Sequence, residues 1–216
     1  KAGVRLDIAP QQVTQCVDEL GVGFMFALMH HSAMRHVSLA RKELGLRTLF
    51  NILGPMSNPA SVKCQLIGVF SGALCRPIAE VLQTLGSEHV MVVHSQDGLD
   101  EISLAADTRV AELKNGSVEE YMLQPEELGI ARGSLKGLGV EGVDASLQLL
   151  TSVLAGKSDQ RSMRGARLVA LNAGAALYVA GIAASVKDGV KIAGEVLASG
   201  AALDRFEQLG RLTRSF

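Results

Sequence analysis

The sequence predicts an α/β protein, a mostly parallel sheet flanked by helices, and two observations carry that expectation. Hydrophobic residues make up 48% of the 216, yet aromatics reach only 4% with no Trp, and 23 residues are Gly. A core of Ala, Val, Leu and Ile suits helices packed closely on a parallel sheet, and so large an apolar fraction excludes a disordered chain. The second observation is rhythm. Between residues 64 and 94, apolar runs of strand length flank one amphipathic run of helix length, the mark of a crossover joining parallel strands.

Taken in order, the elements follow from spacing and breakers. Pro10 suits a first helical turn, and Val13, Cys16, Val17 and Leu20 recur at helical spacing before Gly21 stops the run, so the chain opens on a short helix. Val22 to Leu28 is a compact apolar run ahead of His30-His31-Ser32 and reads as a buried strand with function at its C-terminal end. Ala33 to Leu44 and Arg47 to Leu53 read as two short helices, interrupted by Gly45 and ended by Gly54-Pro55.

Cys64 to Phe70 is the next strand, Leu74 to Leu85 a helix and His89 to His94 a further strand. From Arg109 to Leu123 the period becomes two, with Asn115-Gly116 at the centre, a hairpin signal. After Pro125 come a Gly-rich loop, Gly133 to Gly142, and helices near Asp144 to Leu154, Ser162 to Ile182, Ser185 to Leu197 and Ala201 to Leu212. With no repeat, low-complexity tract or long linker, residues 1–216 read as one α/β unit closed by C-terminal helices.

Charge and cysteine usage narrow the function classes. Lys plus Arg number 21 against 22 Asp plus Glu, a net charge of -1, so no global field draws in nucleic acid or an anionic membrane. Cys16, Cys64 and Cys75 are an odd number with no CxxC pair, which reads as buried free thiols in a reducing cytosol. The first residues lack the pattern of a secretory leader, so the expected location is cytoplasmic. Leu168 to Val186 carries no charge, but it is rich in Ala and Gly, holds Asn172 and is flanked by Arg164, Arg167 and Lys187. It therefore reads as a buried helix and not a membrane span.

Chemistry concentrates in three places. Gln96 to Ser103 (QDGLDEIS) follows the strand ending at His94, and open α/β sheets bind ligands beyond the carboxyl ends of their strands. Asp97, Asp100 and Glu101 repel one another there. Hard oxygen donors of this kind suit Mg²⁺, while a plain solvated turn at Asp97-Gly98 is the alternative. The second place is His30 to His36 with Arg41. Met34, Val37 and Arg41 fall on one side of a helix, where an arginine needs an anionic partner, either a carboxylate substrate or a structural Asp or Glu.

His31, at the junction of strand and helix, can move a proton or serve as a hydrogen-bonded structural residue. The histidine spacing does not match a zinc site. Third, Arg47 to Pro59 joins a short helix to a Pro-containing turn that either lines a pocket or redirects the chain. No GxGxxG, Walker A, GxSxG or HExxH segment occurs, so the dinucleotide, NTPase, hydrolase and zincin readings lack their defining residues.

HHSAMRHVSLARKELGLRTLFNILGPMSNPA, then SQDGLDEIS, then LVALNAGAALYVAG together resemble the anthranilate phosphoribosyltransferases of tryptophan biosynthesis, nearly end to end. That resemblance implies a nucleoside phosphorylase/phosphoribosyltransferase-like α/β domain beside a smaller helical domain, usually in a homodimer. It implies Mg²⁺-dependent transfer of a phosphoribosyl group from phosphoribosyl pyrophosphate to anthranilate, giving N-(5-phosphoribosyl)anthranilate and pyrophosphate. Carried over residue by residue, it makes Asp100 and Glu101 the metal ligands and Arg41 the partner of the anthranilate carboxylate, with His31 lining the substrate's route.

Ser32 stands where the family usually has Pro, and Met56-Ser57 where it has Leu-Thr. The family's GTGGD-like and KxGNRxxSSxxGSAD segments, which cradle the pyrophosphate, have no match here, and Lys1 to Val4 match the stretch just after them. The expectation is therefore a C-terminal portion of the enzyme, inactive alone, whose helices near 33–54 pack with the helical domain. A catalytically dead homologue acting as a binding module and a pyrimidine nucleoside phosphorylase are the alternative readings.

Overall fold

A computed structural model describes residues 2–30, 54, 56, 58 and 60–216. In chain order the elements are α1 (Pro10–Leu20), α2 (Ala27–His30), β1 (Cys64–Gly68), α3 (Cys75–Thr84), β2 (His89–Ser95), β3 (Thr108–Lys114), β4 (Ser117–Leu123), α4 (Gly142–Leu154), α5 (Gln160–Val179), α6 (Val186–Ala198) and α7 (Ala201–Ser215). Two compact units result, one of Lys1–Ser61 with Ala201–Phe216 and one of Val62–Gly200. The helices expected over 33–44 and 47–53 fall outside the described residues.

In the first unit, α1 starts at Pro10, where a missing N–H costs nothing, and ends at Gly21, whose φ of 72° is the left-handed cap that glycine adopts freely. It buries Val13 and Cys16 against Ile8 and against Leu209 of α7. The Arg5 amide donates to the Thr213 hydroxyl at 3.1 Å, tying the two ends of the unit. Val22 to Leu28 departs from expectation. Residues 22–26 are irregular, and Ala27 already begins α2. Val22 and Phe24 are exposed. A run of apolar residues carries no information about a ladder partner, and no described strand pairs with this one.

The second unit is built on a four-stranded sheet in the order β1-β2-β3-β4. β1 pairs parallel with β2, from Cys64 opposite His89 to Gly68 opposite Val93. The other two pairings, β2 with β3 and β3 with β4, are antiparallel. The α/β class stands as expected, but the described sheet is mixed and not mostly parallel. The connections explain it: α3 supplies the crossover that a parallel pair requires, whereas β2 to β3 and β3 to β4 are joined without a helix, which only antiparallel strands allow. At the β3–β4 turn Asn115 (φ 51°) and Gly116 (φ 76°) both adopt left-handed conformations, as a two-residue hairpin demands.

Val90 to Val93 are at most 1% exposed, so β2 is covered on both faces. α3 lies against β2, β3 and β4 through Ile78, Ala79 and Leu82, and α5 lies against β1 and β2 with Leu171 and Ala175 buried. The N-terminus of α5 is capped by Asp159, whose carboxylate accepts from the Arg161 and Ser162 amides. α5 and α6 meet at glycines: a Cβ on Gly174 would collide with the Val190 backbone nitrogen, and one on Gly189 with the Gly174 carbonyl oxygen.

Cys16 and Cys75 are buried free thiols as expected, but Cys64 is exposed. It is the first residue of β1, at the sheet edge among the described residues. No helix among the described residues is long and apolar enough to cross a membrane.

Candidate functional site

β2 ends at Ser95, and the QDGLDEIS segment turns back over the carboxyl end of the sheet. Backbone bonds set its shape: the Ser95 amide donates to the Leu99 carbonyl at 2.9 Å, Gly98 to Ser95 at 3.0 Å and Gln96 to Asp107 at 2.9 Å. Gly98 holds φ 93°, a conformation in which a side chain would be strained.

The clustered carboxylates divide into two kinds. Asp97 works within the loop: its Oδ2 accepts from the Ser103 hydroxyl at 2.6 Å and its Oδ1 from the Leu99 amide at 3.3 Å. Partial burial alone would push its carboxyl up, but the Ser103 and Ser95 hydroxyls and the Leu99 amide outweigh that and hold it below the ordinary value. Ser103 is fully buried and donates its own amide to the Thr108 hydroxyl at 3.2 Å. Just downstream, Asp107 is paired with Arg132 at 2.5 Å.

Asp100 and Glu101 are different. Both are exposed, and no side-chain hydrogen bond or ion pair joins either to another described residue. Glu101 stands against enough protein for desolvation to raise its carboxyl, and the adjacent Asp100 charge raises it further. Two neighbouring hard-oxygen donors, without partners among the described residues and repelling each other, fit a Mg²⁺ that takes the rest of its shell from water and phosphate. Among the described residues no group of three metal-binding side chains converges, so the pair would be the chain's contribution.

Two contacts that sequence reasoning missed hold this pair from beneath. Asn172, on α5, grips the residue after Glu101: its Oδ1 accepts from the Ile102 amide at 2.9 Å, and its Nδ2 donates to the Ile102 carbonyl at 2.9 Å and to the Leu168 carbonyl at 3.0 Å. Gly68, the last residue of β1, lies directly under Asp100. A Cβ there would run into the Asp100 carbonyl oxygen. The one available signal for Asn172 was a lone amide within an uncharged Ala/Gly-rich stretch; Gly68 offered none. His31 and Arg41 lie outside the described residues.

A second polar cluster sits at the other end of β2 and is closed on itself. Glu112 accepts from His89 Nε2 at 2.9 Å, Tyr121 at 2.8 Å and Tyr178 at 2.8 Å, while Lys114 donates to the Tyr178 oxygen at 2.8 Å. Burial pushes Glu112 up, yet the three donors together hold it below the usual glutamate value. The Tyr121 phenol is driven well above its ordinary value by burial and then by that carboxylate. With its donors and acceptors matched, this cluster ties β2, β3, β4 and α5 together.

The described α/β sheet thus carries a pair of carboxylates, unpartnered among the described residues, beyond the carboxyl end of β2, where open α/β sheets bind ligands. The sequence matches the Glycosyl transferase family, a/b domain, over residues 1–203, and the chain belongs to that family. Among curated proteins it is 55% identical over 215 residues to the anthranilate phosphoribosyltransferase of Pseudomonas putida, covering 100% of this chain and 62% of that protein. To the protein of the same name from Azotobacter vinelandii it is also 55% identical, with the same coverage.

Among solved structures, anthranilate phosphoribosyltransferase from Thermus thermophilus superposes with a TM-score of 0.87 at 42% identity, over 98% of this chain and 62% of that one. The enzyme from Saccharomyces cerevisiae in complex with PRPP and Mg gives 0.85 at 26% identity, over 100% and 61%. The chain thus spans about three fifths of the length of the relatives it matches.

Proposed function

We propose that the protein carrying this chain is an anthranilate phosphoribosyltransferase, moving a phosphoribosyl group from phosphoribosyl pyrophosphate to anthranilate and releasing pyrophosphate. The observation that carries the reading is 55% identity along the whole chain to a relative of that name. Residues 1–216 act as the α/β catalytic part of a longer enzyme. The assembly is a cytoplasmic homodimer. By themselves the 216 residues turn over no substrate on this reading.

Breaking the ribose C–O bond leaves cationic character on the sugar and negative charge on the departing pyrophosphate. Asp100 and Glu101 would hold Mg²⁺, which would supply positive charge to offset that of the leaving group. Arg41 presents its planar fork to the anthranilate carboxylate, and His31 lines the way in. Anthranilate's aromatic amine is already unprotonated at neutral pH, so the chain needs no strong base. Its task is to hold the amine against the ribose carbon.

The test is loss of anthranilate fluorescence in the presence of phosphoribosyl pyrophosphate and Mg²⁺, with wild-type protein and two variants. Asp100→Ala is expected to lower kcat by about 10²–10³-fold, whereas Arg41→Ala raises KM for anthranilate. Phosphorolysis of uridine or thymidine without anthranilate turnover would replace this reading with the phosphorylase one.

A further inference from the structure

Asp100 and Glu101 are exposed and have no side-chain hydrogen bond to a described residue, so something other than their own hydrogen bonds must fix where they stand. The loop's internal bonds, among them Ser95 to Leu99, Gly98 to Ser95 and Ser103 to Asp97, set its curvature but touch neither Asp100 nor Glu101. We infer that Asn172 and Gly68 are the positioning residues of the cation site, an inference that rests on reading Asp100 and Glu101 as its ligands. Asn172 binds both polar atoms of Ile102 in one bidentate contact, copying with a side-chain amide what a neighbouring strand would supply. Its orientation is unambiguous, because only Oδ1 can accept from an N–H and only Nδ2 can donate to a carbonyl.

Ile102 is 1% exposed, so loss of the Asn172 side chain would take the partner from two backbone groups of a buried residue. The peptide so fixed is the one that carries Glu101. From the other side, Gly68 brings β1 against the Asp100 carbonyl so closely that no side chain fits. The two ligands are thereby held between the end of a strand and the middle of a helix. Supporting residues of this kind set how well a site's donors are pre-placed, and removing one typically weakens metal binding by about 10–100-fold.

The measurement is Mn²⁺ binding by electron paramagnetic resonance, in the presence of phosphoribosyl pyrophosphate, on the full protein that carries this chain. Asn172→Ala and Gly68→Ala are each expected to weaken binding at least about tenfold at temperatures where circular dichroism shows them folded. Amide hydrogen exchange at Ile102 is expected to speed up in Asn172→Ala. Tyr178→Phe, on the same helix but in the Glu112 cluster, controls for lost stability and is expected to keep wild-type affinity.

Mn²⁺ affinity of folded Asn172→Ala within twofold of wild type, while Asp100→Asn loses binding, overturns the inference and leaves the site reading standing. Equal weakening in Tyr178→Phe overturns it in favour of general destabilisation. Binding that survives both Asp100→Asn and Glu101→Gln removes the site reading and this inference together.

Discussion

Ser103 illustrates how one hydroxyl decides what a carboxylate does. It donates to Asp97 at 2.6 Å and accepts from the Ala105 amide at 2.9 Å, so it straps the beginning of the loop to its end. Ser103→Ala is expected to cost about 1–2 kcal/mol, read as a lower urea midpoint at unchanged slope. The sequence alone marked Asp97, Asp100 and Glu101 as one acidic group. It could not separate the strut from the free pair, because that distinction rests on which hydroxyls and amides lie within reach. Asn172 was harder still, since its partner stands 70 positions away and no local pattern encodes such a contact.

Strands and helices were legible wherever the signal is local. α1 announced itself by Pro10 and Gly21, and the hairpin by Asn115-Gly116. Val22 to Leu28 misled because an apolar run says nothing of pairing and did not here mean burial, and the sheet's mixed direction followed from connections and not from the strands themselves. The α5–α6 contact shows the same dependence on neighbours. Gly174→Ala would press a methyl into the α6 backbone and is expected to destabilise by about 1–3 kcal/mol, measured by chemical denaturation.

The Glu112 cluster makes a pH-dependent prediction. Its carboxyl is held below the ordinary value, so the stability it contributes is present above its unfolded value, about 4.3, and is lost as pH falls through the folded one. Glu112→Gln is therefore expected to be less stable than wild type at pH 7 by about 2 kcal/mol, with the gap closing on acidification. Urea unfolding at a series of pH values reads it; a gap that stays constant would mean the ionised form is not what the tyrosines favour.

For the whole molecule, a near-neutral charge of -1 leaves anion handling to local groups, and the paired carboxylates with their proposed cation are one of them. The broad class was readable from composition and rhythm because a small-residue core constrains how layers pack. The thiols have a practical side. Cys75 is buried and its thiol is pushed up to about 11 by that burial, and Cys16 is buried and raised as well. Cys64 stands in the open at the start of β1, at the far end of that strand from Gly68.

Ellman's reagent should accordingly find one fast thiol of the three and two that react only on unfolding. The native chain then already carries a single chemical handle, one strand-length from the carboxylate loop. A fluorophore or spin label attached there would watch the sheet respond as the site fills.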